Sequence, residues 1–358
     1  MDFDLSEEQQ LLQETVRQFV DNECPPTRVR ELFDADDAFD STLWKGLVEL
    51  GVGGINLPEE HGGAGLDLLD LAVVVESLGY GAVPAPLLGH ALAGTAISLA
   101  GSDEQKARWL PALAAGDALG SAALGEDGAA WQPDQWSLAP GERLSGEKHH
   151  VPFGAHADVI VVGTAGGGLA LVEREAEGVE LVHADAADRT RPTWNLALAD
   201  APCEVLPGGA EASSRLRDAG LVLLAADAFG GASRLVEMSV EYAKTREQFG
   251  VTIGHFQALK HQLANMAIEI EPSRGLYWYA AHAFDHLPDE IERSAALAKA
   301  HITDRYLAVA RDAVEAHGGI GFTWECDVQI WFKRAMFDRA WLGSPAVHRE
   351  RAAALAGW

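Results

Sequence analysis

A chain of 358 residues with 48% hydrophobic side chains is long enough to bury a large core, and its length predicts two or three domains. Its formal charge of -27 excludes a nucleic-acid or anionic-membrane surface, because phosphate recognition of that kind depends on clustered Lys and Arg. No run approaches the roughly 18 to 20 uninterrupted apolar residues of a membrane span, so no membrane span is expected. The acidic start Met1-Asp2-Phe3-Asp4 is unlike a basic secretory leader, which makes the cytoplasm the expected location. Cys24, Cys203 and Cys326 form no CxxC pair and read as reduced packing residues. The close histidine pairs, His149/His150 and His255/His261, lack metal-ligand spacing, and no metal is expected.

Ser6-Glu7-Glu8-Gln9 is a capping box, and Leu12, Val16, Phe19 and Val20 follow at helical spacing. Helical patterning continues over 43–50, 68–78, 87–99 and 103–115, interrupted by turn residues at 57–63 and by Pro84-Ala85-Pro86. Residues 1–117 are thus expected to form an α-helical domain. Short β-rich runs then appear, Val159-Ile160-Val161-Val162, Leu169-Ala170-Leu171-Val172 and Val179-Glu180-Leu181-Val182, separated by Gly, Pro and Asp turns. They place a β-domain at 118–209. Helical patterning returns over 216–245, 253–284, 289–317 and near the C-terminus, predicting a four-helix bundle at 210–358. The fold class is α+β, mostly α.

Two segments carry chemistry. Tyr242-Ala243-Lys244-Thr245-Arg246-Glu247-Gln248-Phe249-Gly250 places an arginine at a helix end before a glycine turn, where its planar guanidinium can meet a pyrophosphate with paired, charge-assisted hydrogen bonds. Gln248 can bond a phosphate or ribose oxygen, and Phe249 offers a flat apolar face. Glu315-Ala316-His317-Gly318-Gly319-Ile320-Gly321-Phe322 lets backbone amides approach an anion closely. The alternative is structural: Arg246 caps its helix and the glycines only turn the chain.

Together these segments resemble the acyl-CoA dehydrogenase family, as do 57–65, 102–117 and the order of helical domain, β-domain and bundle. The resemblance implies an FAD lying across a subunit interface, with the flavin ring held by one subunit's β-domain. The neighbour's turns hold the pyrophosphate and adenosine, which here means Arg246, Gln248, Phe249, Gln257, Glu315, Gly318 and Gly319. Glu315 departs from the family's usual glutamine; a carboxylate near pyrophosphate is unfavourable, so it faces a ribose hydroxyl or points away.

Family members abstract the substrate's α-proton with a glutamate, since burial can raise a carboxyl pKa toward the working pH. The position implied for it holds Leu342, within Trp341-Leu342-Gly343-Ser344, and the family's other base position falls on Gly220 and Leu221. Neither is an acid. The flavin-side loop is also changed, reading Leu124-Gly125-Glu126-Asp127-Gly128-Ala129-Ala130-Trp131, and His150-Val151-Pro152 stands where relatives carry Trp-Ile-Thr or Trp-Ile-Ser. The pattern resembles the base-deficient subunit of heterotetrameric steroid side-chain dehydrogenases. It implies a homologous, catalytically competent partner in a two-plus-two assembly, an acyl-CoA substrate and an electron-transfer flavoprotein as acceptor. Two alternatives stand beside it. One is a homomeric dehydrogenase whose base has moved to Asp227, which interrupts an apolar run and would have a raised pKa if buried and unpaired; a nearby basic partner would remove that role. The other is a non-catalytic acyl-CoA-binding or assembly protein.

Overall fold

The computed structural model describes residues 4–35 and 37–358; the acidic start over 1–3 lies outside them. Helix α1 (Glu7–Glu23) begins at the expected capping box: Ser6 Oγ accepts from the Gln9 amide at 3.2 Å, and Gln9 Oε1 accepts from the Ser6 amide at 3.0 Å. Helix α2 (Pro26–Asp34) was not foreseen, being short, with Pro26 in its first turn. Helices α3 (Ser41–Glu49), α4 (Leu68–Tyr80), α5 (Leu87–Ala100) and α6 (Asp103–Ala115) follow the sequence pattern closely.

The middle of the chain forms two small sheets. Strands β1 (Gly120–Ala123), β3 (Val159–Thr164), β4 (Gly168–Glu173) and β7 (Glu204–Leu206) pair in the order β1-β3-β4-β7, with only the β1/β3 pair parallel. Strands β2 (Arg143–Pro152), β6 (Thr193–Pro202) and β5 (Val179–Ala184) form an antiparallel sheet in the order β2-β6-β5. Val151, Ile160, Val162, Val172 and Leu196 build a core of their own. The β2/β6 register slips between Lys148 and Val151, and at this bulge His150 takes a left-handed φ of 57°.

The central element of the remainder is α7 (Gly209–Thr245), which packs against α4, α5 and α10 (Ile291–His317). By length and composition alone, 212–245 could cross a membrane, but 83% of its most apolar window is buried inside the protein. Its hydropathy is that of a core helix. The segment 253–284, read as one helix, is two: α8 (Gln257–Ile270) and α9 (Arg274–His286), separated by a 3-10 turn at Glu271–Ser273. Pro272 is the cause, because it has no amide hydrogen to donate to the turn before it. Helices α11 (Val328–Ala340) and α12 (Pro345–Leu355) complete the chain. Among the described residues the three cysteines are free, with Cys24 and Cys326 buried.

Candidate functional site

Where α7 ends, the Arg246 amide donates to the Tyr242 carbonyl at 2.8 Å, and the chain turns into a two-stranded hairpin, β8 (Glu247–Gln248) and β9 (Val251–Thr252). Its two central residues, Phe249 and Gly250, have φ of 56° and 78°, as a tight hairpin turn demands. Glycine takes that conformation freely, whereas an aromatic residue is strained there. Phe249 is nevertheless 93% exposed and touches Phe256 only edge-on, with centroids 6.1 Å apart. Arg246, Gln248 and Gln257 are exposed as well. Gln248 Nε2 donates to the Glu247 carbonyl at 2.7 Å, and among the described residues the Arg246 side chain has no hydrogen bond or ion pair.

The second motif lies beside the first. Helix α10 ends at His317, Gly318 breaks away with φ 63°, and a 3-10 turn spans Gly318–Phe322. A Cβ added at Gly318 or Gly319 would meet nothing within 4 Å. The space in front of these glycines is therefore open rather than filled by the chain's own packing. The His317 ring, 8% exposed, stacks on Tyr242 with centroids 4.5 Å apart and planes at 22°, so the ends of α7 and α10 meet. Glu315 is exposed on the last turn of α10.

A different region surrounds the expected base positions. Leu342 is fully buried on the turn between α11 and α12, with φ 59°. A Cβ placed on Gly220 of α7 would collide with Leu342 Cδ1 and approach Leu92 Cδ2 to 3.5 Å. The two base positions thus meet at one point in space, which aliphatic side chains fill. Next to it, a cleft of about 700 Å³ is lined by Trp131, Gln132, His150, Phe337 and Trp341, among others. The Trp131 ring lies 5.7 Å from that of Trp341, whose indole nitrogen donates to the His150 carbonyl at 3.0 Å. Glu126 at its rim is already engaged, accepting from buried Lys148 at 2.5 Å and from the Ser137 hydroxyl at 2.6 Å. Burial pushes the Lys148 ammonium down to about 8 despite that carboxylate.

Asp227 reverses the expectation of a raised pKa. It is fully buried, but Arg334 binds it through Nε at 2.9 Å and Nη2 at 2.7 Å, and Arg191 Nη2 lies 2.5 Å from it. Burial alone would raise the carboxyl; the two guanidinium charges and their hydrogen bonds outweigh it and hold the group at about 2. Arg334 also donates to Thr190 Oγ1 at 2.9 Å and to the Val83 carbonyl at 3.2 Å. Arg191 bonds Asp338 too, whose carboxyl burial and the Asp227 charge push up. Asp227 is a structural counterion tying α7 to α11 and to the segment before β6, and its depressed pKa makes it a weak base for a substrate proton. Asp227, interrupting the apolar run of α7, was the sequence signal for this cluster; Arg334 stands among the other charges of α11 and gave none. No group of three or more His, Cys, Asp or Glu able to hold a metal occurs among the described residues.

The acyl-CoA dehydrogenase N-terminal domain model matches residues 6–117 and the C-terminal domain model residues 209–356. The chain is 35% identical over 344 residues to acyl-CoA dehydrogenase IpdE2 of Mycobacterium tuberculosis, covering 95% of this chain and 94% of that protein. A solved variant of the Tcur3481-Tcur3483 steroid ACAD superposes with a TM-score of 0.90 at 32% identity, over 98% of each chain. The ChsE4-ChsE5 complex from Mycobacterium tuberculosis gives a TM-score of 0.89 at 29% identity, over 100% of this chain and 99% of that one. With both domain models matched and a relative aligned along nearly its whole length, the chain belongs to the acyl-CoA dehydrogenase family, whose members are FAD-binding oxidoreductases.

Proposed function

We propose that this chain is a subunit of an FAD-dependent acyl-CoA dehydrogenase that lacks its own catalytic base and completes the FAD site of a homologous, catalytically competent partner. The observation that carries the proposal is the contrast between its two regions. Arg246 and the Gly318-Gly319 turn stand exposed and uncommitted, while Leu342 and Gly220 close on each other where an acid would be needed. A strained residue held in the open is a reason to look for a use, and Phe249 is such a residue.

The residues fit one half of the cofactor. Arg246 would pair with the pyrophosphate through its guanidinium fork, the Gly318 and Gly319 amides would approach the same anion, and Phe249 would pack on the cofactor. Gln248 and Gln257 would bond sugar or phosphate oxygens, and Glu315 would accept from a ribose hydroxyl or point away. The fit of the flavin-ring half is poor, because Glu126 is engaged by Lys148 and His150-Val151-Pro152 replaces the family's Trp-Ile-Thr or Trp-Ile-Ser. Bound FAD supplies the oxidant for α,β-dehydrogenation of a CoA thioester, and the partner supplies the base. A steroid side chain is the substrate class favoured by the relatives, and an electron-transfer flavoprotein and the cytoplasm complete the reading. Asp227, held between two arginines, speaks against a relocated base, and an uncommitted pyrophosphate clamp speaks against a pure scaffold.

The test is flavin content. Expressed alone the chain should be colourless or poorly flavinated, and co-expressed with its homologous partner it should yield a yellow complex. Arg246→Ala should strip that complex of FAD on dialysis, since a bidentate contact of this kind contributes about 1.5 to 3 kcal/mol, roughly ten- to a hundredfold in affinity. Arg246→Lys should recover only part, keeping the charge but not the planar fork. A yellow, active homomer from this chain alone, or unchanged flavin in Arg246→Ala, would overturn the proposal.

A further inference from the structure

We propose that Tyr242 and His317 act as a positioning clamp that sets the spacing between Arg246 and the Gly318-Gly319 turn, an inference that rests on the reading of these groups as one FAD-holding site. Each anion-holding turn departs from its own helix independently. Arg246 leaves α7 with extended backbone and is closed into its hairpin by the Ile253 amide, which donates to the Arg246 carbonyl at 2.8 Å. Gly318 leaves α10 by a left-handed step. Packing of α7 against α10 sets the two helix axes, but neither departure by itself ties one turn to the other.

The stacked rings do. Tyr242 is the residue whose carbonyl receives the Arg246 amide, and its ring lies against His317, the residue immediately before Gly318. His317 is in turn fixed from behind. Its Nδ1 is 2.7 Å from the Ala313 carbonyl, which can only accept, so Nδ1 carries the hydrogen. That bond sets the ring plane against α10 and presents one face to Tyr242. Gly321 completes the arrangement: a side chain there would collide with the Val314 carbonyl and come within 3.0 Å of His317 Cβ, so its absence lets the turn fold tightly over the histidine. Tyr242, Lys244, His317, Ile320 and Glu325 line an open cavity of about 700 Å³ on one side of the rings, and the ring contact is a direct link between the residues that precede the two turns. Two groups that must meet one pyrophosphate from different helices lose affinity when their separation drifts, because the cofactor then has to order them on binding.

The experiment is an FAD titration of the apo complex formed with the homologous partner subunit, with the melting temperature measured in parallel. His317→Leu and Tyr242→Leu should each weaken FAD by roughly two- to tenfold, the range expected of one aromatic pair, at an unchanged melting temperature. The double variant should be no weaker than either single one, because the contact is lost once. His317→Phe and Tyr242→Phe, which keep a ring on each side, should recover most of the affinity. Parent-like affinity in both leucine variants, with flavin lost from Arg246→Ala, would overturn the clamp and leave the trans-site reading standing. Flavin retained by Arg246→Ala would overturn that reading and the clamp with it. Should the leucine variants fail to assemble, the phenylalanine variants decide: retained affinity supports stacking, and affinity lost at the parent's melting temperature refutes it.

Discussion

Arg246 and Arg334 place the same side chain in opposite settings, one exposed and without a partner among the described residues, the other buried with each guanidinium nitrogen hydrogen-bonded. Removing the Asp227 charge should therefore damage the fold rather than the chemistry. Asp227→Asn leaves Arg334 and Arg191 as under-compensated buried cations, a change that typically costs about 3 to 5 kcal/mol. The expected result is a much lower urea midpoint with turnover per bound flavin close to the parent's. A fall of several orders of magnitude in turnover at full flavin occupancy would instead make Asp227 the base. Leu342 is the complementary case. Leu342→Ala opens a cavity against Gly220 and Leu92 and should cost about 2 to 5 kcal/mol of stability, again with turnover per flavin within a few-fold of the parent's. The depressed Asp227 pKa was not legible in the sequence, because it depends on two arginines distant along the chain, from the loop before β6 and from α11. That Leu342 and Gly220 coincide in space was hidden for the same reason, although each position could be named separately.

Among elements, the helices with a capping box or helical patterning were legible nearly to the residue: α1 from Ser6 and Gln9, and α4, α5 and α6 from the patterning over 68–78, 87–99 and 103–115. What escaped was set by single residues or by tertiary contact, namely the break at Pro272 and the short helix α2. The joint between α5 and β1 was also invisible, and it carries a pH dependence. His90 on α5 is buried; its Nε2 donates to the Gly53 carbonyl at 2.9 Å, while its Nδ1 accepts from the Gly120 amide at 3.3 Å. A proton on Nδ1 would face that amide hydrogen. Burial pushes the His90 imidazole down to about 4 from its ordinary 6.5, so the unfolded chain binds the proton more readily. The stabilisation is fully present above pH 6.5 and is lost as pH falls through 4. Between pH 7 and pH 5 this group alone should remove about 2 kcal/mol. Urea melts at the two pH values would measure it, and His90→Gln should flatten the difference. An equal slope in that variant would assign the acid sensitivity to other groups.

At the scale of the whole molecule, exposed apolar side chains occur at many points of the surface, and those in or beside the two motifs include Phe249 at 93%, Phe322 at 75%, Ile320 and Trp324 at 40%, and Phe256 at 38%. Under the proposed function the residues at the motifs would lie on the surface that the partner covers. In the cleft beside Leu342, by contrast, Trp131 and Trp341 pack together in the lining and the Glu126 carboxylate is engaged by Lys148. If, as proposed, this chain supplies the pyrophosphate half and its homologous partner the ring half, the two complete only one site between them. The expected stoichiometry of the purified complex is therefore one FAD for each pair of unlike chains, and not one per chain. It can be read from flavin released on denaturation against the concentration of each subunit. Arg246→Ala in this chain should bring that value toward zero, whereas the corresponding arginine of the partner, facing a cleft that holds no flavin, should be replaceable without loss. One flavin per chain, or a value halved by either substitution alone, would mean that both clefts are occupied and that the closure around Trp131 and Leu342 does not exclude the cofactor.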